Sequence, residues 1–145
     1  MQENKVTENK ISNVGSDFPS SPAVTVYYAN NITVSQNEIS DTPYSGISLG
    51  WGWGRDKQNC RDIRILNNKI LRVMGVQNDG GHIYTLGAMP GTVICGNYME
   101  ASGDTRGGIY IDNSTQYVYI KDNVTEVVDT WLISQTSEMY NKRNN

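Results

Sequence analysis

Ile63-Arg-Ile-Leu-Asn-Asn-Lys-Ile70 is the stretch on which the fold turns. Isoleucines at 63 and 65 alternate with neighbours of other character, Asn68 follows three residues after Ile65, and Ile70 stands two beyond it. An apolar alternation of period two is the mark of a strand with one inward face. The same frame recurs around Asn9, Asn37, Asn97 and Asn123. Three residues before these five asparagines stand Val6, Val34, Ile65, Ile94 and Ile120, and two residues after them stand Ile11, Ile39, Ile70, Met99 and Thr125. Five before are Asn4, Ile32, Ile63, Thr92 and Val118, where only the first breaks the apolar rule. The asparagines are spaced by 28, 31, 29 and 26 residues, so this is a repeat whose insertions fall in loops.

Each cassette reads as one short strand ending at an asparagine bend. Between cassettes lies a second alternating run, at residues 23–27, 46–49, 82–86, 108–112 and 131–134, which gives every turn at least two strands. Gly80-Gly81, Pro90-Gly91 and Gly107-Gly108 read as bends. A leucine-rich horseshoe is excluded by a total of five leucines, and a propeller blade requires roughly 40 residues. A right-handed parallel β-helix of about five coils remains, formed by residues 1–145 as a single domain. Stacked turns rise about 4.8 Å each, so inward Ile and Val form columns and bend asparagines hydrogen-bond along the axis.

Composition agrees. The 145 residues include 13 Ile, 12 Val and 11 Thr against 5 Leu and 4 Ala, and β-branched side chains suit a pleated surface. The net charge of -3, with 12 Lys and Arg scattered through the chain, argues against a nucleic-acid partner, and no apolar stretch is long enough for a membrane-spanning helix. Cys60 and Cys95 are too few for a disulfide framework and read as free thiols. Asn31, Asn113 and Asn123 open Asn-x-Thr sequons, which read as bend chemistry before glycan sites. No signal peptide is visible at residues 1–10. Repeat strands run to both ends without capping units, so the expectation is a fragment of a longer β-helix, or a chain that oligomerises or gains flanking coils.

Ser45-Gly-Ile-Ser-Leu-Gly-Trp-Gly-Trp53, Asn78-Asp-Gly-Gly-His-Ile-Tyr-Thr-Leu-Gly87 with Pro90-Gly-Thr-Val-Ile94, and Gly107-Gly-Ile-Tyr-Ile-Asp112 resemble the coils of right-handed β-helix carbohydrate-active enzymes, with a pectin lyase-like fold. Bacterial β-helical glycoside hydrolases are the most similar group. The resemblance spans residues from about 5 to 135. It implies a polysaccharide or oligosaccharide partner, an extracellular or periplasmic parent protein, and catalytic carboxylates at or near Asp79 and Asp112. His82 stands where the family often has a glycine run, and Asn113 where an acidic residue is frequent.

A glycosidase needs one carboxylic acid for the leaving oxygen and a second carboxylate as nucleophile or base, about 5 to 10 Å away. With Ile83 aligned to Ile109, Asp79 and Asp112 lie seven positions apart, so a bend at Gly80-Gly81 has to draw them together; Asp104 is the rival partner for Asp79. His82, the single histidine, suits proton transfer if it faces outward or lies in a turn beside Asp79. Outward positions of the second run align as Thr25, Ser48, Tyr84, Tyr110 and Leu132, placing two tyrosines on adjacent coils for stacking against sugar. Trp51 and Trp53 offer a stacking wall or fill space under their loop, while Arg55, Asp56, Arg61 and Arg64 read as solvated charges. No cofactor and no metal site are expected, with a calcium site built from aspartates and backbone carbonyls left open under a lyase reading. The readings are a glycoside hydrolase segment using paired carboxylates, a non-catalytic glycan-binding or surface-attachment β-helix, and, third, a polysaccharide lyase.

Overall fold

The computed structural model describes residues 3–53, 59–103, 105–126 and 129–135. Asp104, Arg55 and Asp56 lie outside the described residues. The chain is an all-β parallel solenoid of three sheets. The first stacks β1 (Asn4–Thr7), β4 (Asn30–Ser35), β7 (Arg61–Leu66), β10 (Ala88–Cys95) and β13 (Gln116–Lys121). The second stacks β2 (Lys10–Ser12), β5 (Glu38–Ser40), β8 (Lys69–Val73), β11 (Tyr98–Ser102) and β14 (Val124–Glu126). The third stacks β3 (Val24–Val26), β6 (Ile47–Gly50), β9 (Gly81–Leu86), β12 (Gly107–Ile111) and β15 (Leu132–Ser134). The winding amounts to about four turns, slightly fewer than the coil count read from the sequence.

The repeat frame is the register of the sheets. Val6 pairs with Val34, Val34 with Ile65, Ile65 with Ile94 and Ile94 with Ile120. Ile11, Ile39, Ile70, Met99 and Thr125 form the matching column of the second sheet. Together with Ile47, Ile83 and Ile109 of the third, these columns fill the interior, and their middle members are fully buried. Each such side chain contributes about 2 to 3 kcal/mol by leaving water.

One cassette is two strands, not one. The chain turns at the asparagine and at once resumes as a strand of the second sheet. The residue before each ladder asparagine makes this turn: Glu8, Gln36, Asn67, Gly96 and Asp122 have φ of 58°, 56°, 53°, 68° and 52°. Such left-handed backbone is costly for most residues, and here the asparagine that follows holds it in place. Each asparagine Nδ2 donates to the next Oδ1 at 2.9 Å, from Asn9 through Asn37, Asn68 and Asn97 to Asn123. The same Oδ1 atoms accept the backbone N–H of the asparagine before, at 3.0 to 3.1 Å. Asn123, within a sequon, donates through Nδ2 to the Ile94 and Lys121 carbonyls.

A Cβ at Gly96 would run into the Asn67 side chain, on top of the positive φ. Gly96→Ala is therefore expected to lower stability by about 1 kcal/mol, read as the shift of a urea-denaturation midpoint; a variant as stable as the parent would contradict the bend geometry.

Two glycine readings change. Pro90-Gly91 lies inside β10, where the pairing with β13 slips between Ala88 and Thr92, making a bulge at Gly91 with φ of 74° instead of a bend between strands. Gly107 and Gly108 belong to β12, where a Cβ on Gly108 would strike Thr125 and the Trp131 backbone. Cys60 and Cys95 are free thiols.

Candidate functional site

The second alternating runs of the sequence become the third sheet, and its outer face carries the candidate site. Thr25 pairs with Ser48, Ser48 with Tyr84, and Tyr84 with Tyr110. The final member of this column is Ile133, not Leu132, because Leu132 pairs with the inward Ile109. The run of 131–134 thus enters the sheet one residue later than the alternation alone places it.

A cavity of about 270 Å³ lies over this face. Tyr27, Tyr44, Trp51, Trp53 and Tyr84 wall it, with Ser48, Gln77 and Asp79 among its polar lining. Trp51 and Trp53 follow β6 directly. Trp51 packs against Tyr27 at 5.1 Å between ring centroids, and Trp53 meets Trp51 edge-on at 5.1 Å and 78°. Trp53 keeps 61% of its surface in water, so its ring is a wall facing solvent and not filling beneath a loop.

Hydrogen bonds set the tyrosines. The Tyr27 hydroxyl donates to Ser48 Oγ at 2.9 Å, and the Tyr44 hydroxyl donates to the Asp79 carbonyl at 2.9 Å. The Tyr84 hydroxyl donates to Asp112 Oδ2 at 2.6 Å, a short bond of the kind expected for a charged acceptor. Burial first, and then the bond to Asp112, push the Tyr84 phenol far above its ordinary range. Tyr110 meets the Tyr84 ring edge-on at 5.3 Å and 75° but is itself buried, so it backs the site without lining it. Burial raises its phenol to about 12, helped by the charges of Asp112 and Asp79.

The two aspartates stand at opposite ends of the β9–β12 pairing. Asp79 lies in the bend ahead of β9, exposed, with a carboxylate oxygen 3.5 Å from Arg106 Nε. Asp112 follows β12, is 7% exposed, and reaches the cavity through the Tyr84 hydroxyl. Asp79 thus borders the cavity directly and Asp112 through Tyr84, while Tyr110, hydrogen-bonded to Asp79 and under the charge of Asp112, stands between the two.

His82 is not outward. It is fully buried, its Nε2 3.4 Å from the Glu100 carbonyl of β11, and its Nδ1 has no partner. A carbonyl only accepts, so Nε2 carries the hydrogen. The physical reason is the column it occupies: the register that pairs Ile83 with Ile47 and Ile109 sets His82 between Gly46 and Gly108. A Cβ on Gly46 would strike Ile70, so this position faces inward. Burial drives the imidazole down to about 4.

Tyr27 and Tyr44 are absent from the sequence reading. Tyr27 was within reach of it, since the alternation that turns Thr25 outward also turns out residue 27. Tyr44 lies before the β6 run and carries no periodic signal. Arg61 and Arg64 lie on β7, exposed beside Asp62 and Glu3, away from the cavity.

No protein-family model and no curated protein match the chain. A solved structure described as a glycoside hydrolase superposes on 93% of it with a TM-score of 0.83 and 26% sequence identity. The chain is similar to a glycoside hydrolase. The likeness rests on the whole stack of coils, including the sheet that carries the cavity. It takes up 24% of the hydrolase, so the chain spans about a quarter of that protein's length.

Proposed function

We propose that this chain is a segment of a polysaccharide-degrading glycoside hydrolase that binds its glycan in the aromatic cavity and hydrolyses glycosidic bonds with the carboxylates of Asp79 and Asp112. The observation that carries the reading is the cavity itself, whose tyrosine and tryptophan walls surround a space bordered by Asp79. Sugar rings present C–H faces that pack on aromatic rings, and their hydroxyls seek fixed polar partners. Asp79 is assigned the direct contact with sugar. In its protonated form Asp79 gives its proton to the leaving glycosidic oxygen, while the Asp112 carboxylate takes a proton from the attacking water across the Tyr84 hydroxyl, which accepts the water's proton as it passes its own to Asp112. A polymeric substrate places the parent protein outside the cell or in the periplasm.

A second reading, a non-catalytic glycan-binding segment, is favoured by the burial of Asp112 and its engagement with Tyr84. Reducing-sugar release and binding measured on the same samples separate the two. Hydrolysis that falls about a hundredfold in Asp79→Asn, a loss in the range for removing an acid or base, supports the first. Binding without turnover supports the second. Undiminished hydrolysis in Asp79→Asn removes that residue from the mechanism.

A further inference from the structure

We propose that the cavity over the third sheet selects neutral, polyhydroxylated sugars and excludes uronates and sulfated sugars; the proposal rests on the carbohydrate reading above and names its substrate class. The argument is one of hydrogen-bond polarity. A phenol has a single proton to give. In Tyr27, Tyr44 and Tyr84 that proton is already committed, to Ser48 Oγ, to the Asp79 carbonyl and to Asp112 Oδ2. What these oxygens turn toward a ligand is lone pairs. Asp79, on the same wall, adds a carboxylate, which only accepts when ionised.

Ser48, Gln77 and the tryptophan indoles on the same wall can also donate, and they serve neutral and acidic sugars alike; the bias comes from the three phenol oxygens and the Asp79 carboxylate, which ask the ligand for donors. The hydroxyls of a neutral sugar supply them, and bonds to charged acceptors are the stronger kind. A uronate carboxylate or a sulfate brings more lone pairs and a negative charge against Asp79, with Asp112 close behind Tyr84. Arg106 offsets part of this charge, but it is engaged with Asp79 at 3.5 Å, and no lysine or arginine lines the cavity among the described residues. The aromatic walls are indifferent to the distinction, because neutral and acidic sugars offer similar C–H faces. Discrimination therefore comes from the polar atoms.

The test is calorimetric titration of the full chain, at low ionic strength, with neutral oligosaccharides derived from glucan, xylan and mannan, and with galacturonan and alginate oligosaccharides of equal length. The expected result is saturable binding of at least one neutral series, with every uronate at least tenfold weaker. Asp79→Asn, at an exposed position, should narrow that ratio. A uronate that binds as tightly as the best neutral sugar overturns the selectivity while leaving the carbohydrate site standing. Failure of both classes to bind sinks the site and the selectivity together. A ratio unchanged in Asp79→Asn overturns the assignment of the exclusion to this carboxylate.

Discussion

Asn68→Ala is expected to destabilise the fold by about 4 kcal/mol. The Asn68 side chain sits at the middle of the asparagine column and makes four buried hydrogen bonds. Its Oδ1 accepts the Asn37 N–H at 3.1 Å and the Asn37 Nδ2 at 2.9 Å, while its Nδ2 donates to Asn97 Oδ1 at 2.9 Å and to the Val34 carbonyl at 3.0 Å. Alanine removes all four and leaves the Asn37 N–H and the Val34 carbonyl buried without these partners. Each such orphan costs about 1 to 3 kcal/mol. Asn9 terminates the column with its Nδ2 bonds to Asn37 and Thr7 in more exposed surroundings; Asn9→Ala should cost only about 1 kcal/mol. Urea denaturation followed by far-UV circular dichroism compares the two, and equal losses would mean that the column does not hold the coils together.

The second large effect is a loss of stability on acidification traced to one residue. In the unfolded chain His82 protonates near 6.5, whereas in the fold burial holds it to about 4. Between these values the unfolded state binds a proton that the folded state refuses, so stability is complete above pH 6.5 and declines as pH falls toward 4. The gap corresponds to about 3 kcal/mol. The bidentate Arg72 pair that lowers Asp41 to about 2 acts below this window, as pH falls through the ordinary range of aspartate. Denaturation midpoints of the parent and of His82→Asn, measured from pH 7.5 to 4.5, should diverge in slope: the parent loses stability, and the variant loses much less. Parallel profiles would show that the imidazole is not shielded as the fold requires.

Much of this architecture is written in residue types because its physics repeats. A column of asparagines and columns of Ile and Val have to recur at every turn, so the register of Val6, Val34, Ile65, Ile94 and Ile120 was legible. The turn itself was not. The left-handed position before each asparagine is filled by Glu, Gln, Asn, Gly and Asp in succession, and so leaves no shared letter; one cassette therefore read as a single strand. His82 misled for a related reason: its inward direction is set by Gly46 and Gly108 on the neighbouring coils and by Ile70 across the interior. Leu132 missed its column by one residue because the alternation of a three-residue strand does not fix its own starting point. At the site, the sequence brought out Trp51, Trp53, Tyr84, Asp79 and Asp112, but Tyr44 enters through the path of a loop.

The central claim is that a glycan occupies the cavity over the third sheet. The chain has three tryptophans, of which Trp51 and Trp53 line that cavity and Trp131 does not. Nitrogen-15 spectra of the indole N–H groups, recorded during titration with the best-binding neutral oligosaccharide, follow all three at once. The Trp51 and Trp53 signals should move together and saturate while Trp131 stays still; movement of Trp131 alone, or of none, would contradict the claim.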